Sequence, residues 1–163
     1  MTNPKVLVVM GSANDMLVMQ EASKVLSEFG VESEVHVASA HRTPEKAAQL
    51  AKNAAGNGIK VIIAGAGFAA HLAGAMAAHS VLPVIGVPLE ASPLSGIDSL
   101  LSTVQMPSGI PVACVAVGKA GARNAGILAV QMLALSDDAL KEKLIAFRKG
   151  MAEKVEKANE ELK

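Results

Sequence analysis

The sequence predicts a doubly wound, three-layer α/β/α domain built on a five-stranded parallel sheet and closed by a C-terminal helix. Three observations carry that expectation. Short apolar runs alternate five times with helical stretches. The first three runs end in loops of small and polar residues, and 163 residues suffice for one domain, residues 1–163, with a real core.

Residues 5–10 form a nearly unbroken apolar run ending in Gly11-Ser12, as in a central strand buried on both faces. Asn14 or Asp15 then caps a helix running to Phe29, and Gly30 stops it. Residues 33–38 alternate polar and apolar, which suits a strand near a sheet edge, and a second helix covers 44–57. A third buried strand spans 60–64, followed by a glycine-rich loop and a small-residue helix to His79. A fourth strand covers 83–87, residues 88–96 are a loop, and 97–105 are helical. Residues 107–111 break the chain before a fifth strand over 112–117, and an Ala-rich helix follows over 119–135. From about 137 to 161 the pattern is an amphipathic terminal helix with a possible break at Gly150. Its apolar stripe of Leu140, Leu144, Phe147, Met151 and Val155 is free to pack on its own domain or on a neighbouring subunit. With right-handed crossovers and strand order 2-1-3-4-5, the loops after strands one, two and three lie side by side.

Lys plus Arg and Asp plus Glu number 15 each, which argues against a nucleic-acid or membrane partner held by bulk charge. The lone cysteine, Cys114, excludes an intrachain disulfide and reads as a small buried hydrophobe rather than a nucleophile. Residues 1–4 lead straight into the first strand without a leader pattern, so the expectation is a soluble cytoplasmic protein. Hydrophobic residues reach 51% while aromatics are only 2%, so helices can pack closely and excess apolar surface can be buried between subunits.

The polar residues that can do chemistry sit in the loops. In Ser39-Ala40-His41-Arg42-Thr43-Pro44 a strand turns into a helix, and His41 and Arg42 read as proton-transfer group and anion anchor. The same hexapeptide also reads as a capped helix start, with Thr43 at the N-cap and Pro44 at N1. In Gly11-Ser12-Ala13-Asn14-Asp15, the glycine admits a ligand to the backbone, Ser12 can donate to phosphate, and Asp15 suits ribose hydroxyls or merely the helix dipole. Gly65-x-Gly67-x-x-Ala70 matches a dinucleotide fingerprint with Glu90 twenty residues on, but it sits in the third βα unit. Its glycines equally serve close packing. The four histidines, His36, His41, His71 and His79, lack metal-ligand spacing, and no G-x-S-x-G turn follows a strand.

Taken together, Met10-Gly11-Ser12-x-x-Asp15, the hexapeptide, Gly65-Ala66-Gly67-x-Ala69-Ala70-His71-Leu72, Val104-Gln105-Met106-Pro107 and Asn124-Ala125 resemble the PurE family of purine biosynthesis over residues 5–148. The resemblance implies a flavodoxin-like fold, a homo-octamer with sites where subunits meet, and no cofactor or metal. It implies conversion of N5-carboxyaminoimidazole ribonucleotide to 4-carboxyaminoimidazole ribonucleotide, with His41 as general acid and base. Gly11, Ser12, Asp15, Ser39, Ala40, Arg42, Gly67, Ala70, His71 and Leu72 would then bind this small-molecule ribonucleotide substrate. Ser12 and Arg42 would hold phosphate and Asp15 the ribose.

Three residues depart from the family's bacterial mutase pattern: Met16 for Trp, Phe68 for Gly and Ala73 for Pro. The related class that carboxylates aminoimidazole ribonucleotide directly also has Met at position 16, but it carries Lys in place of Arg42. Arg42 and Ala69-Ala70-His71 favour the mutase. The alternatives are that direct carboxylase and a nucleotide-binding module without chemistry.

Overall fold

A computed structural model describes residues 5–162; the expectations for residues 1–4 lie outside that span. Strands β1 (Val6–Met10), β2 (Ser33–Val37), β3 (Val61–Ala66), β4 (Val84–Pro88) and β5 (Ala113–Cys114) form one parallel sheet in the order β2-β1-β3-β4-β5. The intervening helices are α1 (Met16–Glu28), α2 (Pro44–Ala54), α3 (Leu72–Ala78), α4 (Ile97–Val104) and α5 (Gly118–Leu133), and α6 (Asp138–Glu161) follows. This is the flavodoxin-like order, with its switch point between β1 and β3.

Because side chains alternate along a strand, β1 feeds two cores. Val6, Val8 and Met10 pack with α1, α5 and the start of α6, while Leu7 and Val9 pack with α2 and α3. The second core takes Ala47, Ala51 and Ala54 from α2, so that helix lies close to the sheet. Gly65 serves the same end on the other face. A Cβ there would collide with the fully buried Met19 of α1.

Several element boundaries differ from the sequence reading. β5 keeps only two of the six expected residues, because it is an edge strand paired with β4 at Ile85–Ala113 and Gly86–Cys114 alone. The rest of its apolar run is used otherwise, Val112 packing against one core and Val115 against the other. Cys114 is therefore half-buried rather than internal, and burial raises its thiol pKa, which disfavours the thiolate. β3 runs on to Ala66, and α2 stops at Ala54 where the chain turns toward Gly58. In β2 the valines are the more exposed side chains, Val35 at 40% and Val37 at 38%.

The expected break at Gly150 is absent. One glycine costs a helix about 1 kcal/mol relative to alanine, too little to interrupt a run of 24 residues that Asp137 caps through Leu140 N–H at 3.1 Å. Leu140, Leu144 and Phe147 pack on the body of their own chain, whereas Met151 and Val155 are exposed. No helix among the described residues is long and apolar enough to cross a membrane.

Candidate active site

The strand ends stack in register, and backbone bonds tie their loops together. Gly11 N–H donates to Gly65 O at 3.1 Å, Ala38 N–H to Met10 O at 3.0 Å, and Leu89 N–H to Ala66 O at 3.0 Å. The loops after all five strands surround a cavity of about 1050 Å³ at the carboxyl edge of the sheet. That is the place where open parallel sheets take their ligands.

The first loop is built around a capping box. Ser12 Oγ accepts from Asn14 N–H at 3.3 Å, and Asp15 Oδ2 accepts from Ser12 N–H at 3.0 Å. Ser12 thus caps the 3-10 turn over Ala13–Asp15 through which the chain enters α1, and Asp15 holds the N-cap position of α1 itself, as the sequence offered, without a side-chain bond to that helix. Burial pushes the Asp15 carboxyl above its ordinary range, only partly offset by the Ser12 N–H and the Arg42 guanidinium.

The second loop is braced by its own hydroxyls. Thr43 occupies the N-cap position without capping: its Oγ1 accepts from Ser39 N–H at 2.8 Å and donates to Ser39 O at 3.2 Å. Arg42 N–H donates to Ser39 Oγ at 3.2 Å. This closed ring of bonds holds His41 and Arg42 out of the helix and over the cavity. Arg42 Nη2 then reaches across to donate to Gly11 O at 3.0 Å, joining the first loop to the second.

His41 Nε2 lies 2.6 Å from His71 Nδ1, with the rings edge-to-face at 4.7 Å between centroids. One nitrogen donates and the other accepts, according to the tautomer each ring holds. In the third loop Gly67 lets the fourth approach, since a Cβ there would strike Ala91. The two glycines of the fingerprint thus have packing uses. Phe68 beside them has φ +53° and is 58% exposed at the cavity wall.

Of the residues singled out from sequence, Gly11, Ser12, Asp15, Ser39, Ala40, His41, Arg42, Gly67, His71 and Leu72 line this one cavity. Ala70 does not. It is 2% exposed, its methyl turned into the protein as the loop closes toward α3. His36 bonds Glu34 on β2, and His79 ends α3, both outside the cavity wall. The wall also includes Ala91 after β4 and Val117, Gly118 and Lys119 after β5, which the sequence reading left out of the site, and Glu90, which it weighed only with the dinucleotide fingerprint. The strand-end rule applied to strands four and five would have found them. Among the described residues no group of three or more His, Cys, Asp or Glu gathers to hold a metal ion.

A family model described as AIR carboxylase matches residues 5–154. The N5-carboxyaminoimidazole ribonucleotide mutase of Haemophilus influenzae is 56% identical over 151 residues, covering 93% of this chain and 92% of the relative. The enzyme of the same name from Pyrococcus horikoshii is 55% identical, covering 94% and 85%. The crystal structure of Treponema denticola PurE superposes with a TM-score of 0.89 at 28% identity, covering 98% of this chain and 99% of the other.

Proposed function

The chain belongs to the AIR carboxylase family, and we propose that it is an N5-carboxyaminoimidazole ribonucleotide mutase of purine biosynthesis. The carboxyl group moves from N5 of the imidazole ribonucleotide to C4 of the same molecule. The observation that carries the site assignment is the His41–His71 pair on the cavity wall beside Arg42, where a proton can be given and taken back.

The chemistry balances with one imidazole. The N5–carboxyl bond breaks, its electron pair stays on N5, and His41 as imidazolium delivers a proton there. Carbon dioxide is thereby freed inside the cavity. C4 attacks it, a carbon–carbon bond forms, and neutral His41 removes the C4 proton, restoring its starting state. No electrons or groups are needed from outside, so the reading includes no cofactor. A walled cavity keeps carbon dioxide next to C4 and limits its loss to water. Ser12 and Arg42 hold the phosphate, Arg42 having donors beyond the one spent on Gly11 O. Asp15 uses Oδ2 on Ser12 N–H and offers Oδ1 to the ribose.

The reading extends to a cytoplasmic homo-octamer. It is supported by apolar side chains that the single chain leaves exposed on α4, Ile97, Leu101 and Val104, and by Met151 and Val155 on the far part of α6. Light scattering should return eight chains per particle.

The activity test supplies purified protein with each ribonucleotide, with and without bicarbonate. Turnover of the N5-carboxy compound without added bicarbonate is expected. Conversion of aminoimidazole ribonucleotide only when carbon dioxide is supplied, with no turnover of the carbamate, would instead assign the direct carboxylase. Binding without either conversion would leave a non-catalytic nucleotide module.

A further inference from the structure

We propose that Phe68 is a stacking platform for the substrate's imidazole ring, setting affinity for the base while the phosphate and ribose are held elsewhere. The proposal rests on the mutase reading above and adds a specificity residue to it.

The chain has three aromatic side chains and uses them in two different ways. Phe29 and Phe147 pack on each other with centroids 5.5 Å apart. Phe68 supports no core; it is 58% exposed and forms part of the cavity wall. Its backbone is in the left-handed region at φ +53°, a conformation that a side chain bearing a Cβ disfavours and glycine takes freely. A bulky apolar residue is thus held in a strained conformation with most of its surface exposed at the cavity wall. Strain of that kind gathers where a ligand uses it.

The position of the ring identifies what it meets. Phe68 and His71 share the β3–α3 loop, and His71 is bonded to His41. The atoms that exchange a proton with His41 are N5 and C4, both on the heterocycle. The base is therefore the part of the substrate that lies against this loop, while Arg42 and Ser12 mark the phosphate end on the other two loops. A flat aromatic face beside a flat heterocycle supplies stacking that is independent of hydrogen bonding.

The test is calorimetric binding of two probes, 5-aminoimidazole ribonucleotide and ribose 5-phosphate, to the wild-type chain, Phe68→Gly and Phe68→Leu. Phe68→Gly should weaken the base-bearing ligand about tenfold and leave ribose 5-phosphate within about twofold, as loss of one stacking contact requires. The same variant should melt about 1–3 °C higher, because glycine relieves the strained φ. Phe68→Leu, which keeps bulk but loses the ring, should also bind the base-bearing ligand more weakly. Unchanged affinity of Phe68→Gly for 5-aminoimidazole ribonucleotide, or equal losses for both probes, would overturn the proposal. A wild-type chain that binds 5-aminoimidazole ribonucleotide no better than ribose 5-phosphate and turns over neither imidazole ribonucleotide would reject the mutase reading first, and the platform with it.

Discussion

The two ends of the sheet are built on opposite terms. Around its amino end the chain closes on itself. Lys143 Nζ donates to Phe29 O at 2.7 Å, Phe147 packs edge-to-face on Phe29, and Asp137 both caps α6 and lies 3.7 Å from Lys5. At the carboxyl end each of the first two loops is braced by its own hydrogen bonds, and Arg42 and the His41–His71 contact join the loops across. There a carboxyl is raised by burial, and an aromatic stands in a left-handed conformation beside open space. Packing at one end and on both faces stabilises a framework that tolerates strain and poorly solvated charge at the other. The difference separates where substitutions should cost stability from where they should cost function.

The largest expected effect is functional and at the carboxyl end. His41→Asn should lower kcat by at least about a thousandfold, while the exposed position of His41 leaves the melting temperature and ribonucleotide affinity near wild type. Steady-state kinetics alongside a thermal melt check this, and a rate near wild type would remove His41 from the proton-transfer role.

The amino end should respond in the reverse sense. Phe29 is 4% exposed and carries an edge-to-face partner, so Phe29→Ala should cost roughly 3 kcal/mol in urea unfolding. Turnover below the transition should stay within about twofold, since Phe29 is outside the cavity wall. A parallel loss of substrate affinity would show that the two ends are coupled and blur the contrast.

The smallest effect sharpens the contrast through its sign. Burial raises Asp15 above its ordinary 3.8, so the folded chain binds this proton more tightly than the unfolded one. Its contribution is favourable below pH 3.8 and is lost as pH rises through the higher folded-state value. Asp15→Asn lacks that penalty and should be at least as stable as wild type at pH 7, yet bind ribonucleotide more weakly. Urea midpoints across pH 4–8 would test it; a variant less stable at neutral pH would mean that the Ser12 and Arg42 interactions outweigh burial.

Much of this organisation is legible in the residues themselves. The unbroken apolar run 5–10 and the polar alternation of 33–38 distinguish a central strand from an edge strand, and both strands take those places. The loop at 39–44 is likewise readable, because Pro44 can only open a helix there and leaves the preceding polar residues outside it. Ala70 and the run 112–117 are harder. An alanine gives no sign of which way a loop will turn it, and an apolar run cannot reveal how many residues its neighbour will pair.

Strand and helix identity, the placing of polar residues at strand ends, and the family that those residues mark were all determined by the sequence alone, because periodicity and turn chemistry act over a few neighbouring residues. Only the tertiary structure decided that His41 meets His71 across thirty residues, that Arg42 joins two loops, and that Phe68 is strained and exposed. Those outcomes depend on where strands pack side by side and which loop closes against which, and distances between such segments are set by the whole core rather than by any stretch of chain.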